Sequence, residues 1–155
     1  HIGWFDWELV DKNVDMLRFF RHTIAFRKRH AVFNRRNFFN GAVNDRGLAD
    51  ITWHGCRLNA PGWEDANGRA LAFTLGARGE EPDAHVLLNM FYLGLDFELP
   101  HVEGRQWWKS IDTAQSSPAD ILEPGNETLV DGNICHAQGR SVVVLLSKPS
   151  ERPPG

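Results

Sequence analysis

Apolar residues recur with a helical period near the start of the chain. A first stripe recurs at steps of three and four residues and consists of Val14, Leu17, Phe20 and Ile24. A second stripe lies beside it and consists of Met16, Phe19, Thr23 and Phe26. Acidic residues precede this pattern and basic residues end it, an order that suits the helix dipole. The pattern predicts one helix over residues 10–30 that is buried on more than one side, with some packing partners outside this chain.

Short runs of β-forming residues replace the helical pattern after a polar, glycine-bearing connector that begins near residue 35. Runs typical of strands cover residues 51–54, 70–75, 85–92, 95–99, 107–112 and 141–147. Residues 127–137 predict a hairpin that turns at Asp131–Gly132, and the β-branched run 141–147 predicts a central strand. The chain is therefore predicted to be mainly β, an antiparallel β-sandwich preceded by one N-terminal helix.

Composition and charge narrow the classes of partner. The chain has 155 residues and a formal net charge of -3, which gives no electrostatic case for nucleic acid or an anionic membrane. No apolar run approaches the roughly 20 residues of a membrane helix. Cys56 and Cys135 are too few for a disulfide framework and predict thiols in a reducing compartment. We expect a cytoplasmic protein with neither nucleic acid nor membrane as partner.

The polar residues predict no catalytic or metal-binding centre. The seven histidines form no closely spaced pair and neither cysteine has a ligand-like neighbour, so we expect no metal and no cofactor. Glu80, Glu81 and Asp83 are predicted to lie in a solvated turn. Asp96 and Glu98 alternate with apolar residues and are predicted to occupy the wet face of a strand. Surface charge is therefore the favoured interpretation for all five carboxylates.

Tryptophans are the remaining candidates for a binding role. Trp4 and Trp7 flank Asp6, and Trp107 and Trp108 are adjacent on a predicted strand. Neighbouring strand residues point to opposite faces, so one of this second pair belongs in the core and the other is exposed or covered by a neighbour. An exposed tryptophan could stack on a sugar ring, but packing at a domain interface is the favoured interpretation.

A set of motifs occurs in one order along most of the chain: LAFTL (71–75), HVLLNMFY (85–92), LDFELP (95–100), GRQWW (104–108), SIDTAQSSPADILEPG (110–125) and RSVVVLLSK (140–148). Together they resemble the C-terminal part of bacterial glycogen debranching enzymes of the isoamylase type, in the α-amylase superfamily. The opening GWFDWELVDKNVDMLRFFRHTIAFRKRH (3–30) resembles the loop and last helix that complete the catalytic barrel of those enzymes.

The resemblance implies a division of the chain and a function for it. Residues 1–36 would be the end of a truncated (β/α)8 barrel, residues 37–148 the C-terminal β-sandwich, and residues 149–155 a tail. Enzymes of this kind hydrolyse α-1,6 branch linkages of glycogen-type glucans with acids that lie upstream of the matched segment, so no catalytic residue is expected here. Trp4, Asp6 and Trp7 match a loop near the catalytic mouth, which implies a substrate-binding role.

These observations favour a non-catalytic C-terminal domain whose main partner is the missing barrel of the same chain, with α-glucan as a further partner. Two alternatives stay open. One is a freestanding glucan-binding module that uses exposed tryptophans. The other is an interaction module whose doubled apolar stripe forms a homodimer through the N-terminal helix.

Overall fold

The N-terminal segment is helical in the computed structural model, which describes residues 3, 4 and 6–150. Helix α1 covers Leu9–Lys12, α2 covers Val14–Arg29, and a 3-10 turn follows at Ala31–Phe33. The predicted N-terminal helix is present and is interrupted at Asn13, where φ is -118° and ψ is 42°. The Asn13 side chain donates to the carbonyl of Leu9 at 3.0 Å, a local bond that competes with regular helix geometry.

The described residues after the connector form eight strands in two antiparallel sheets. The strands are β1 Thr52–His54, β2 Ala70–Leu75, β3 Ala84–Asn89, β4 Leu95–Glu98, β5 Arg105–Asp112, β6 Thr128–Leu129, β7 Ile134–Ala137 and β8 Ser141–Pro149. The larger sheet has the order β1-β2-β3-β8-β5-β6, and the smaller pairs β4 with β7. The predicted antiparallel sandwich and the central position of the 141–147 run are both confirmed.

The predicted hairpin over residues 127–137 is wrong, because its two halves belong to different sheets. Strand β6 pairs with β5, while β7 pairs with β4. Between them Val130 N donates to the Trp107 carbonyl at 2.9 Å, and Leu99 N donates to the Asn133 carbonyl at 2.8 Å. Asp131–Gly132 therefore lies in a link that carries the chain from one sheet to the other, with Gly132 at a φ of 77°.

Alternating side chains of the larger sheet form two separate cores. On β8, Val143 and Leu145 face the smaller sheet, whereas Val144 and Leu146 face α2. The inter-sheet core also contains Ala72, Leu87, Phe97, Leu99, Val102, Trp107, Cys135 and Ala137. The helix-side core also contains Phe26, Val32, Leu75, Ala77, Ala84, Val86, Ile111 and Ile121. The sheet is thus buried on both faces along its central strands.

Within this chain helix α2 is buried on one side, and the predicted burial of its other side by partners outside the chain stays a prediction. Phe26 is buried and Phe19 packs partly buried beside it. Arg18 also forms an ion pair with Asp120, which ties the helix to the loop after β5. The apolar residues left exposed on the helix are Val14, Met16, Phe20 and Ile24. We call these four residues the exposed stripe of α2.

Candidate functional site

The predicted substrate-binding residues Trp4, Asp6 and Trp7 lie at the entrance to α1. The side chains of Trp4 and Trp7 are 97% and 77% exposed. Asp6 Oδ1 accepts a hydrogen bond from Glu8 N at 3.0 Å, and the Asp6 carbonyl accepts from Leu9 N at 3.2 Å. Asp6 therefore orders the first turn of the helix, as short polar side chains do at such positions. A role for these residues in holding substrate stays a prediction.

The second tryptophan pair is divided between the two faces of β5, as predicted. Trp107 is buried in the inter-sheet core, where its Nε1 donates to the Pro100 carbonyl at 2.7 Å. Trp108 lies on the opposite face, and Lys148 Nζ is 5.1 Å from its ring centre. Glu127 holds Lys148 there through a 2.7 Å ion pair. Trp107 is therefore a core residue, and Trp108 is covered by a neighbouring cation.

Four of the five predicted surface carboxylates, Glu80, Glu81, Asp96 and Glu98, are exposed as predicted. The two on β4 make local contacts. Asp96 Oδ1 lies 2.7 Å from His136 Nδ1 across the smaller sheet. Glu98 Oε2 accepts from Leu58 N at 2.9 Å, which attaches the loop after β1 to that sheet. The alternating pattern of β4 thus predicted the exposed face of this strand correctly.

Asp83 corrects the prediction of a solvated turn, because its side chain is fully buried. Arg46 donates to both of its carboxylate oxygens at 2.8 Å, and Ala77 N donates to Oδ1 at 2.9 Å. Burial alone would raise the pKa of Asp83, but the hydrogen bonds from Arg46, Ala77 and Ser147 outweigh it and hold the pKa below its ordinary value. The buried pair attaches the connector to the sheet, and it is a structural contact.

Two histidines and a threonine form a buried polar chain that the sequence pattern did not reveal. Asn59 N donates to His54 Nδ1 at 2.8 Å, so His54 carries its proton on Nε2, which contacts Thr74 Oγ1 at 2.9 Å. Thr74 Oγ1 in turn lies 2.8 Å from His85 Nδ1 and can donate to it. These contacts fit two neutral rings. Cross-strand register was the missing signal, since Thr74 and His85 are directly opposite on β2 and β3.

The environment opposes charge on either ring. Burial lowers the pKa of His85 to about 3, with a further lowering from His54. The backbone carbonyl of Glu98 raises the pKa of His85. No described atom lies within hydrogen-bond geometry of His85 Nε2. Burial also lowers the pKa of His54. These histidines are therefore poor proton donors near neutral pH and serve the packing of the inter-sheet region.

Residues 3, 4 and 6–150 contain neither a candidate metal site nor a candidate membrane span. In that part of the chain, no three His, Cys, Asp or Glu side chains are grouped so that they could hold a metal ion. None of its helices has both the length and the apolar character needed to cross a membrane. Cys56 and Cys135 are free thiols, and burial raises the pKa of each.

The fold places this protein in the class of β-sandwich domains with a helical N-terminal attachment. Two antiparallel sheets pack together, and a helix lies against the outer face of the larger sheet. Within that class the particular family is also clear. The family model for the C-terminal domain of isoamylases 1-3 matches residues 52–146, and the chain belongs to this family. The resemblance inferred from the motifs is thereby confirmed.

Two relatives match a larger share of the chain than the family model does. The chain is 35% identical over 130 residues to the "Glycogen operon protein GlgX homolog" of Mycobacterium tuberculosis (strain ATCC 25618 / H37Rv), which covers 72% of this chain and 18% of the relative. It is 28% identical over 158 residues to the "Isoamylase" of a Flavobacterium species, which covers 94% of this chain and 20% of the relative. The chain thus spans about a fifth of the length of these relatives.

Proposed function

We propose that this chain is the C-terminal domain of a glycogen debranching enzyme that hydrolyses α-1,6-glucosidic branch linkages in glycogen-type glucans. In this proposal the domain does not carry the reaction and instead packs on the catalytic barrel. Membership of the isoamylase 1-3 C-terminal family supports it, as do relatives whose names include isoamylase and a glycogen operon protein. The two free thiols, Cys56 and Cys135, support a cytoplasmic location for the enzyme.

The observation that carries the packing role is the exposed stripe of α2. Phe26 on the opposite side of this helix is buried against the sheet, whereas Phe20 and Ile24 face outward. A helix with apolar side chains on two sides suits a position between two packed bodies. We therefore propose that residues 1–36 belong to the end of a catalytic barrel, that residues 37–148 form the sandwich domain, and that residues 149–155 form a tail.

Trp4, Asp6 and Trp7 then fall at the mouth of the proposed catalytic cleft. Their position directly before α1 and the exposure of both indole rings support a role in one wall of that cleft. The catalytic acids of such a two-carboxylate hydrolase would come from the barrel. Binding of an α-glucan at this wall is part of the same proposal.

The test compares the 155-residue chain with the longer natural gene product that contains it. We expect the longer product to release reducing ends from amylopectin by α-1,6 cleavage, and the 155-residue chain to release none. Phe20→Glu should lower the melting temperature of the longer product while leaving that of the shorter chain nearly unchanged. Debranching by the shorter chain alone, or none by the longer product, would contradict the proposal.

A homodimer formed through α2 is the second candidate, and the same exposed stripe favours it. Two copies could bury Val14, Phe20 and Ile24 against each other. Sedimentation of the 155-residue chain separates the two candidates, because a dimer predicts a concentration-dependent mass that Phe20→Glu abolishes. A monomer at all concentrations would favour the catalytic barrel as the partner of the exposed stripe of α2.

A further inference from the structure

A cluster of aromatic rings lies at the β1 edge of the larger sheet, on the same face as α2. Trp53 on β1 is 40% exposed, and Trp63 in the following loop is 63% exposed. Their ring centres are 5.6 Å apart with an interplanar angle of 69°. Trp53 also contacts Phe73, its partner in the β1–β2 register, at 5.4 Å. The two indoles are thus supported from the sheet and still open to solvent.

Trp63 forms one wall of an open groove of about 490 Å³ on this face. We call it the Trp63 groove, and its lining includes Trp63, Asp65, Arg69, Leu71, Leu88 and Met90. The volume falls within the range of about 300–1,000 Å³ that is usual for small-molecule sites. Leu71 and Leu88 are opposite each other on β2 and β3 and form an apolar floor.

The loop that carries Trp63 is fixed by its own hydrogen bonds and by the sheet. Asp65 N donates to the Gly62 carbonyl and Gly68 N to the Asp65 carbonyl, both at 2.9 Å. Asp65 Oδ1 accepts from Asn67 N at 2.9 Å, and Met90 N donates to the Arg69 carbonyl at 2.8 Å. The aromatic wall is therefore held in place before any ligand arrives, which reduces the entropy lost on binding.

The chemistry of the lining favours a neutral ligand that is apolar on one face and rich in hydroxyl groups at its edge. An indole face accepts the C–H face of a pyranose ring, while Asp65 can accept and Arg69 can donate hydrogen bonds to hydroxyls. The groove offers one acid and one base, so it does not select an ion of either sign.

We propose that the Trp63 groove binds a chain of α-linked glucose, with one sugar ring stacked on Trp63 and its hydroxyls bonded to Asp65 and Arg69. The proposal rests on the function proposed above, in which the substrate is an α-glucan. A second contact of this kind on the sandwich would keep a branched glucan attached while other branches enter the cleft, and so raise its effective concentration there.

Affinity electrophoresis of the 155-residue chain in glycogen gels and titration with maltoheptaose test this site. We expect glycogen to retard the chain, and Trp63→Ala to weaken maltoheptaose binding about tenfold, as expected for the loss of an aromatic stacking contact. Trp63→Phe should retain most of the binding. Phe38→Ala removes another exposed aromatic residue that does not line the groove, and it should leave binding unchanged.

Met90→Glu is a second variant that keeps the result interpretable if Trp63→Ala is poorly folded. Met90 is 53% exposed, so a carboxylate there should be tolerated by the fold while it obstructs the groove. The inference is overturned if the wild-type chain is not retarded, if Phe38→Ala weakens binding as much as Trp63→Ala, or if Met90→Glu binds normally. It is also overturned if the groove variants impair only assembly with the catalytic barrel, since the face would then be a protein interface.

The two proposals fail in different ways. Debranching by the longer product without maltoheptaose binding by this chain would contradict the glucan site in the Trp63 groove and would support the proposed function. Maltoheptaose binding that depends on Trp63, without debranching by the longer product, would contradict the proposed function and would support the glucan site in the Trp63 groove.

Discussion

The ring of His85 is kept neutral by the direction of its hydrogen bonds as well as by burial. Because Asn59 N donates to His54 Nδ1, His54 donates to Thr74, whose hydroxyl hydrogen is then available to His85 Nδ1. A proton on that nitrogen would require this hydroxyl hydrogen to turn away and would bury a charge in the inter-sheet region. Protonation of His85 is therefore coupled to opening of the structure around it.

Acid should destabilise the chain through this histidine before the carboxylates titrate. The pKa of His85 is lowered from 6.5 to about 3, so the unfolded state binds the extra proton first and stability falls as pH falls below 6.5. One such group lowers the free energy of unfolding by up to about 1.4 kcal/mol per pH unit, a slope that it approaches as the pH falls well below 6.5. Urea denaturation between about pH 7 and pH 5 measures this slope.

His85→Gln should reduce that slope whether or not it also lowers the stability at pH 7. His101→Gln is the matched control, because His101 is exposed and its Nε2 lies 3.2 Å from the exposed carboxylate of Glu103. An equal slope in the wild type and in His85→Gln would show that His85 is not the group that titrates.

Residue exposure could be predicted where it depends on alternation within one strand, and not where it depends on a distant partner. Asp96 and Glu98 follow the alternation of β4 and are exposed as predicted. Asp83 lies in a sequence typical of a turn, but Arg46, 37 residues away, makes its burial favourable. The chain His54–Thr74–His85 likewise requires strand register, which local sequence does not give.

At the level of elements, strand positions followed from local pattern, whereas strand partners did not. Both β6 and β7 lie inside the segment predicted as a hairpin. Strand β6 pairs with β5 and strand β7 pairs with β4, because burial against the two sheets decides the pairing. Helix α2 shows the same limit, since Phe20 of one stripe is exposed and Phe26 of the other is buried.

The two sides of α2 should therefore respond differently to truncation. Phe26→Ala should lower the free energy of unfolding by about 3–5 kcal/mol, because it removes a buried ring that contacts His30 and Phe33. Phe20→Ala at the exposed stripe should change it by less than about 0.5 kcal/mol. Denaturant unfolding of the 155-residue chain measures both, and equal losses would contradict the orientation of the helix described here.

The whole molecule is organised as two cores on opposite faces of one sheet. The sandwich class followed from the number and spacing of short strands, and the motif set pointed to the family that residues 52–146 match. The outward direction of the exposed stripe could not be predicted, because it depends on how much of α2 the sheet covers. The proposed function uses this outer side, whereas the inter-sheet core contains no residue of the helix.

Two cores separated by a sheet should contribute independently to stability. Ile121 belongs to the helix-side core and Leu99 to the inter-sheet core, and both are buried. Ile121→Val should cost about 0.5–1.5 kcal/mol and Leu99→Ala about 2–5 kcal/mol. Because neither side chain shares a core with the other, the double variant should equal the sum within about 0.5 kcal/mol.

Denaturant unfolding of the wild type, the two single variants and the double variant measures this sum. A coupling larger than about 1 kcal/mol would mean that the central strands shift as one body when either core is altered. Changes at the proposed barrel contact on α2 would then reach the inter-sheet core. Additivity would instead confine such changes to the helix-side core and leave His54, Thr74 and His85 undisturbed.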